Sequence, residues 1–593
     1  MKKLLLITVA VNFINLNASF VHAQSPSQNI INLGTKSRKA DYLYLSAPDS
    51  MGVRKRLKTP SANNDRTQNT KLPYPIIFIH GLCSNSATWD TLTNFLDVQY
   101  GLNFGGRFDF CLNSDNDNTV ANKNFFPTAG ADITLFTPLL TAADYYTVNF
   151  DVGIDGGVFP ATSDGNYVTS NQQAIIKQGA ALSRAIHDVL QITGREKVIL
   201  MGHSMGGLAS REYIQNSYNW QADGHHHVAK LATTGTPHGG SNASAIELLD
   251  SWADIDDQSD AVRDLRTSYY VSDAPGVYLF GGLEDNSIID DMTFDNFYNV
   301  DVNCSSTPGN TIIGLNQKNI DTTLDYSCII GICDCTFSSP GDGVVSDSSA
   351  DINNVYPGLT TNLFYYNGSA TTEIHSDLPG LTYENMQDLD EPNIHRLGYH
   401  IGFDTAYTGF TTVQPAGGNS YDYDNFKFAV PAGSNVTVSI NNIALADLMV
   451  HIVDIAGNTV GSVVHSSGAS SINYTQAVTA GNYYLEIYGT PTITSYLNPY
   501  SFILTNAMTT GIEASNKADD LVIYPNPANN VLNITNISSK TQIKLYDVLG
   551  KLVFETEAEG STSIDTSLLN GVYTLSAISS AKGTVVTKVV VTK

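Results

Sequence analysis

The sequence has few charged residues, and basic residues are the scarcer kind. Charged residues make up 15% of its 593 residues, and 31 Lys and Arg stand against 57 Asp and Glu, a formal net charge of −26. Binding to a phosphate backbone needs clustered Lys and Arg, so this balance argues against a nucleic-acid partner. Aromatic residues reach 10%, which excludes wholesale disorder. At roughly 100 to 200 residues per domain, the length predicts several domains.

The sequence also lacks an apolar run long enough to cross a bilayer. The run at the N-terminus, residues 4–11, is shorter than the roughly 20 residues that a span requires. It follows a Lys pair and precedes a small-x-small pattern at residues 21–23. These features predict a secretory signal peptide over residues 1–23, an N-terminal linker or extension over residues 24–72, and no transmembrane span.

Cysteine is scarce, and its count is even. In a chain with an export signal, six Cys predict disulfides, and we expect one bridge between the first two and two bridges among the other four. The later spacing matches neither a CxxC redox motif nor a zinc site, so no metal is predicted there. The six are Cys83, Cys111, Cys304, Cys328, Cys333 and Cys335.

The C-terminal part of the chain has the pattern of short strands. After a polar linker over residues 509–520, residues 521–593 alternate apolar and polar residues between Pro and Gly turns, which predicts a small all-β sandwich. The segment begins LVIYPNPANNVLNI and continues with IKLYDVLGKLVF and GVYTL. It resembles the C-terminal sorting domain of the type IX secretion system of Gram-negative bacteria. The resemblance implies that this machinery is a partner and that the protein is exported through the outer membrane, to be secreted or held at the cell surface.

A second β-rich stretch precedes the linker. Residues 409–508 contain short alternating runs such as FKFAV, VTVSI and YYLEI, separated by Gly, Asn and Pro. This pattern predicts another β-sandwich. It resembles the accessory sandwich domains that follow the catalytic unit in secreted peptidases and other hydrolases. A spacer role and a carbohydrate- or surface-binding role both remain open.

Residues 73–408 have the alternating pattern of an α/β domain. The continuous apolar run over residues 75–82 predicts a strand buried on both faces. A helix is predicted from about residue 86 to 99, a strand over residues 145–150 and an amphipathic helix over residues 171–193. Together these elements predict a parallel sheet with covering helices.

The segment from Lys197 to Leu208 carries the strongest chemical signal. An apolar strand runs through Gly202-His203-Ser204-Met205-Gly206 into a helical pattern. A Gly-x-Ser-x-Gly sequence in this setting predicts a nucleophile elbow, in which a tight turn exposes the hydroxyl of Ser204 above the sheet. We read His203 as a packing residue beside the serine.

This segment, with HGLCSNSATW and TTGTPHGGS, resembles the secreted lipases and esterases of the α/β-hydrolase superfamily. The resemblance implies an oxyanion hole made of the backbone N–H groups of Leu82 and Met205, and a cap insertion over about residues 241–322. It also implies a carboxylic ester or lipid substrate and no cofactor.

A serine nucleophile needs a base and an orienting acid, which follow it in the order acid, then His, in this superfamily. Asp342, in the loop sequence Gly-Asp-Gly-Val-Val, is the predicted acid, and Asp347 is its rival. His375 is the predicted base because it lies in a loop after an extended segment. His395 and His400 are the alternatives, although packing is the simpler role for both.

Other polar clusters give no site prediction. The three His at residues 225–227 cannot all face one ion, because adjacent residues point apart. The acidic cap lacks EF-hand spacing, so calcium is not predicted. Cap residues that could line an acyl pocket or only form a core are Leu248, Trp252, Tyr269, Tyr270, Phe280, Phe294 and Phe297.

The sequence therefore predicts an α/β-hydrolase sheet with a cap insertion, followed by two all-β sandwich domains. The predicted function is that of a secreted serine hydrolase that cleaves carboxylic esters through an acyl-enzyme. The alternatives are an amidase or peptidase with the same three residues, and a non-catalytic surface adhesin.

Overall fold

The computed structural model describes most of the chain between Thr70 and Thr592 and two short strands before it. The predicted signal peptide, the linker over residues 509–520, most of the cap, Cys304 and Cys335 lie outside the described residues. The described ranges are 30–32, 43–45, 70–112, 133–136, 140–153, 156–157, 170–241, 255, 259–265, 279–280, 282–284, 310–333, 340–359, 361–368, 373–387, 389, 391–392, 394–412, 422–431, 433–489, 496–508, 521–548, 550–579 and 583–592.

A nine-stranded, mostly parallel sheet forms the first part of the structure, in the order β12-β11-β8-β7-β3-β6-β4-β5-β2, with β4 and β5 antiparallel. A separate three-stranded sheet has the order β1-β10-β9. The strands are β1 Ile30–Asn32, β2 Leu43–Leu45, β3 Ile76–Ile79, β4 Phe104–Cys111, β5 Thr134–Phe136, β6 Tyr145–Asn149, β7 Val198–His203, β8 Val228–Thr234, β9 Gly282–Glu284, β10 Asn310–Ile313, β11 Asp325–Ile332 and β12 Thr361–Asn367.

Helices cover the large sheet. The α-helices are α1 Asp90–Tyr100, α2 Ile175–Thr193, α3 Met205–Gln215, α4 Asp260–Leu265, α5 Asp347–Ala350 and α6 Thr382–Met386. Short 3-10 helices span Ser86–Trp89, Ser170–Gln172, Ser217–Asn219, Leu315–Gln317, Ile352–Asn354, Leu378–Gly380 and His395–Leu397. The helices and strands predicted near residues 86–99, 145–150 and 171–193 are thus confirmed to within a few residues.

Alternate residues of the central strand β3 serve two separate cores. Ile77 and Ile79 pack on one face with residues of α2 and α3, whereas Ile76 and Phe78 pack on the other face with residues of α1. Because side chains in a strand point alternately to opposite faces, a run that is apolar at every position needs cover on both sides. This cover is why the strand is fully buried.

The middle of the chain forms two antiparallel-rich sheets, with the orders β13-β15-β20-β17-β18 and β14-β21-β16-β19. The sheets take in residues from Tyr399 onward, so they begin slightly before the predicted start of the sandwich at residue 409. Their strands are β13 Tyr399–His400, β14 Ala406–Gly409, β15 Tyr423–Val430, β16 Ser434–Asn441, β17 Leu448–Asp454, β18 Thr459–His465, β19 Ser471–Val478, β20 Gly481–Gly489 and β21 Tyr500–Met508.

The C-terminal strands are all hydrogen-bonded into one sheet. Its order is β22-β23-β25-β26, and β24 also pairs with β23. The long β23 contains register shifts, pairs with β24 along its whole length and pairs with β25 only over its last third. The expected β-rich domain is therefore present. Its strands are β22 Val522–Tyr524, β23 Val531–Tyr546, β24 Leu552–Asp565, β25 Gly571–Ser579 and β26 Gly583–Val591.

Candidate active site

Ser204 occupies a sharp turn between β7 and α3. Its backbone is in an uncommon conformation, with φ 52° and ψ −128°, which typically costs about 1 to 3 kcal/mol and persists only where the surroundings hold it. Gly206 allows the turn, because a Cβ there would lie 2.5 Å from the carbonyl oxygens of Ile79 and His80. The nucleophile loop is therefore pressed against the end of β3, as an elbow requires.

His375 joins Ser204 to Asp342. Its Nε2 lies 2.8 Å from Ser204 Oγ, and its Nδ1 lies 2.7 Å from Asp342 Oδ2. Because a carboxylate can only accept, Nδ1 carries the proton and Nε2 accepts a hydrogen bond from the serine hydroxyl. The three residues are buried, with 8%, 1% and 8% exposure for Ser204, Asp342 and His375. This is the geometry that a serine needs to lose its proton to a base.

The loops that carry Asp342 and His375 support each other. Asp342 Oδ1 accepts from the backbone N–H groups of Val344 at 2.9 Å and Val345 at 2.7 Å. The N–H of Ile374 donates to the carbonyl oxygen of Asp342 at 2.8 Å. The carboxylate is thus held with one oxygen in backbone bonds and the other facing the imidazole.

The electrostatics around His375 favour its protonated form. Burial alone would lower its pKa, but the charge and hydrogen bond of Asp342, with a smaller contribution from Glu373, together raise the pKa above the ordinary value. Glu373 also accepts from the backbone N–H and the hydroxyl of Ser376. A base whose protonated form is stabilised in this way accepts a proton more readily.

The rival residues lie elsewhere. Asp347 begins the short helix α5 and accepts from the N–H of Ser348. His395 contacts Glu486 of the middle sheets. His400 Nδ1 lies 2.8 Å from Glu196 Oε2. Among these candidates, the structure brings Asp342 and His375 to Ser204.

The loop after β3 passes directly over the serine. A Cβ at Gly81 would lie 2.6 Å from the Cβ and 3.2 Å from the Oγ of Ser204, so only glycine allows this approach. His80 Nε2 accepts from the N–H of Phe150 at 2.9 Å, which leaves Nδ1–H to donate to the Gly81 carbonyl at 2.8 Å. Because the peptide is planar, the N–H of Leu82 points away from His80.

Met205 supplies the first residue of α3, directly after the nucleophile. The N–H groups at the start of a helix have no hydrogen-bond acceptor within the helix. They point outward from the end at which the helix dipole places a partial positive charge. Leu82 and Met205 both pack in an apolar cluster that also contains the cap residues Val262, Leu265 and Phe280. The other predicted cap aromatics lie outside the described residues.

The disulfide prediction for Cys83 and Cys111 is wrong, because both are reduced thiols. β6 separates β3 from β4. Cys111 ends β4 and Cys83 lies in the loop after β3. Strands two places apart in a sheet are about 10 Å apart, so they do not by themselves bring two Cα atoms within the roughly 7 Å that a bridge needs. Cys328 is a buried thiol as well, so two bridges among the later four cannot form. Cys333 is disulfide-bonded.

The three consecutive His do not converge. His226 Nε2 lies 3.0 Å from Asp321 Oδ2, and His227 Nε2 lies 2.7 Å from Asp223 Oδ2. Over the described parts of the chain, no group of three or more His, Cys, Asp or Glu side chains is placed to hold a metal ion. Among the helices that the structure describes, none is both long and apolar enough to cross a membrane.

Three family models match separate parts of the chain. Residues 73–311 match the PGAP1-like alpha/beta domain. Residues 422–489 match the bacterial pre-peptidase C-terminal domain, and residues 522–592 match the secretion system C-terminal sorting domain. Among curated proteins, none is significantly similar to this chain.

Several solved structures are similar to single parts of the chain. The lin2722 gene product of Listeria innocua is 17% identical, with 53% of this chain and 90% of that chain covered and a TM-score of 0.28. An extracellular α/β-hydrolase from a Paenibacillus species is 13% identical, with 53% and 98% covered and a TM-score of 0.22. The pre-peptidase C-terminal domain of a Bacillus anthracis collagenase is 17% identical, with 18% and 92% covered and a TM-score of 0.15.

The family models confirm the three resemblances seen in the sequence, including that of the middle domain to the accessory domains of secreted peptidases. The chain carries a PGAP1-like α/β-hydrolase domain, and its C-terminus is a type IX secretion sorting domain. The sorting domain indicates an exported protein that is secreted or held at the cell surface.

Proposed function

We propose that this chain, with its PGAP1-like α/β-hydrolase domain and its sorting domain, is an exported serine hydrolase that cleaves carboxylic esters. The observation that carries the proposal is the hydrogen-bonded series from Ser204 through His375 to Asp342 beneath the Gly81 loop. Nucleophile, base and acid stand in the order expected for the fold.

In the proposed mechanism, Ser204 Oγ attacks the ester carbonyl carbon as its proton passes to His375 Nε2. Asp342 stabilises the resulting imidazolium and holds the tautomer that offers Nε2 as the base. The carbonyl oxygen becomes an oxyanion, which the N–H groups of Leu82 and Met205 stabilise. When the tetrahedral intermediate collapses, the C–O bond breaks and His375 gives the proton to the leaving alcohol.

Water then completes the cycle. His375 takes a proton from the water molecule as its oxygen attacks the acyl-enzyme carbonyl. Collapse of the second tetrahedral intermediate releases the carboxylic acid and returns the proton to Ser204 Oγ. The nucleophile, the base, the acid and the oxyanion donors of these steps all belong to the protein, and water is the second reactant.

The environment of the oxyanion loop supports an ester with an apolar acyl part. Leu82 and Phe280 are only partly buried and pack against the apolar cluster beside Met205. Apolar surface next to the reacting centre favours binding of an acyl chain by burial, at roughly 25 cal/mol per Å². An amide substrate would use the same three residues, and the test below separates the two classes.

The proposal is tested with the purified, full-length protein and a fluorophosphonate probe, which reacts with activated serines. We expect labelling of the wild type and of Ser348→Ala, in which an exposed serine is removed, but not of Ser204→Ala. Hydrolysis of p-nitrophenyl esters is then compared with that of matched anilides. Absent labelling of the wild type would refute a serine hydrolase, and anilide turnover without ester turnover would assign an amidase or peptidase instead.

A further inference from the structure

We propose that His203, the residue before Ser204, is a positioning residue that fixes the base His375 relative to the strand that carries the nucleophile. This inference rests on the proposed function of the site. It assigns a role to a residue that the sequence pattern marks only as the variable position of the Gly-x-Ser-x-Gly motif.

The contact joins residues that are far apart in sequence. His203 ends β7 and is 5% exposed. Its Nε2 lies 3.0 Å from the main-chain carbonyl oxygen of His375. Because a carbonyl oxygen only accepts, Nε2 carries the proton, and the ring is held in one tautomer. Nδ1 is buried and has no hydrogen-bond partner among the residues that the structure describes, so Nε2 makes the hydrogen bond of this ring.

This hydrogen bond links the main chain of the base to the strand of the nucleophile, whereas the direct contact between His375 and Ser204 joins only their side chains. The Asp342 side chain and the Ile374 N–H tie the loop of the base to the loop of the acid. The bond from His203 ties the same loop to the β7 strand, whose next residue is Ser204. It therefore fixes the separation of base and nucleophile, which a proton transfer requires to be within hydrogen-bond reach.

The packing of the ring agrees with a positioning role. The His203 ring centroid lies 4.8 Å from that of His375, and Trp89 meets the His203 ring edge-on at 6.4 Å. Burial, and then the charge on His375, hold the pKa of His203 well below its usual range. His203 therefore stays neutral beside His375 when the base takes up a proton, and a like charge does not oppose the step.

The experiment compares three variants of the full-length protein. His203→Phe keeps an aromatic ring against Trp89 but removes the donor, whereas His203→Gln keeps an N–H near the position of Nε2. His238→Phe is the matched control, because His238 is also buried and its ring contacts Thr233 and Arg211. Fluorophosphonate titration first counts the active sites, and kcat and KM for a p-nitrophenyl ester are then expressed per titrated site.

We expect His203→Phe to lower kcat per titrated site ten- to a hundredfold with little change in KM, since small misplacements of reacting groups cost about this much. His203→Gln should recover most of the loss, and His238→Phe should keep the wild-type kcat per site. A merely structural role would instead reduce the number of titrated sites at constant kcat per site.

Three results would overturn the inference while the wild type still hydrolyses the ester. The first is a kcat per titrated site for His203→Phe within twofold of the wild type. The second is an equal loss in the Phe and Gln variants, which would assign the effect to ring packing. The third is an equal loss in His238→Phe. A wild type with neither labelling nor ester turnover would instead contradict the proposed function itself.

Discussion

Replacing Asp342 with Asn tests the assignment of the acid, because it should change which ring nitrogen of His375 carries the proton. Asp342 Oδ1 accepts two backbone hydrogen bonds, from Val344 and Val345, so an amide at this position must keep its oxygen there. The amide NH₂ group then faces His375 Nδ1 in the place of Oδ2. Because NH₂ only donates, Nδ1 must accept, and the ring proton moves to Nε2. In this tautomer His375 cannot accept the proton of Ser204.

The size of the effect follows from the geometry. The carboxylate oxygen lies 2.7 Å from Nδ1, so the centres of charge of an ionised pair are about 4 Å apart. At an effective dielectric constant of about 20, this separation is worth about 4 kcal/mol. Since each 1.36 kcal/mol is a tenfold change in rate, the lost charge alone lowers the rate about a thousandfold. The wrong tautomer adds to this, so we expect a loss of about 10³ to 10⁴ in kcat/KM.

The assay is ester hydrolysis per folded molecule, with Asp347→Asn as the matched control. Asp347 lies in the same loop region and is only half-buried, so its variant should stay within threefold of the wild type. Thermal unfolding of both variants shows whether the fold is kept. If Asp342→Asn keeps more than a tenth of the wild-type kcat/KM, or if Asp347→Asn loses as much, the assignment of the acid is refuted.

Three further predictions concern the loop over the serine, the buried acids and a thiol. Gly81→Ala should lower kcat/KM about a hundredfold, because the added Cβ would lie 2.6 Å from the Cβ of Ser204 and would displace the loop. The displaced loop would no longer present the N–H of Leu82 to the oxyanion. Unchanged kinetics would contradict this prediction. Burial raises the pKa of Glu391 to about 8 and that of Asp424 well above its ordinary value. The folded state therefore holds more protons than the unfolded one between about pH 4 and 8, and the free energy of unfolding should fall as pH rises through this window. Urea unfolding should show that this free energy depends less on pH in Asp424→Asn than in the wild type. An equal pH dependence in both proteins would contradict the assigned cause. Burial raises the pKa of the Cys328 thiol to about 11, so iodoacetamide at pH 8 should modify it only after unfolding, and rapid modification of the native protein would show that it is accessible.

The sequence was sufficient to predict the parts of the site that depend on neighbouring residues. A nucleophile elbow is local, since a buried strand, two glycines and a helix start all lie within about a dozen residues of Ser204. The apolar run that ends in His80-Gly81 is local for the same reason. The sorting domain was equally predictable, because its turns and short strands follow one another directly in the chain.

Pairings between distant segments were harder to predict. The choice of Cys83 and Cys111 as a disulfide used count and compartment alone. Neither carries information on sheet order, which puts β6 between β3 and β4, and both cysteines are thiols in the fold. The buried acids gave no sequence signal, since Glu391 and Asp424 are ordinary polar residues until the chain folds around them.

The amino-acid sequence alone was enough to assign the fold, the position of the serine and the order of the residues that could assist it. The three-dimensional fold was needed to establish which of those residues meet. His375 accepts one hydrogen bond from Ser204 and another from His203, and each joins positions more than 170 residues apart. Strand order in a sheet and the paths of loops at its edge set such distances, and both depend on the packing of the whole domain. For that reason a motif of five residues could locate the nucleophile, whereas the choice of Asp342 over Asp347, and of His375 over His395 and His400, depended on the fold.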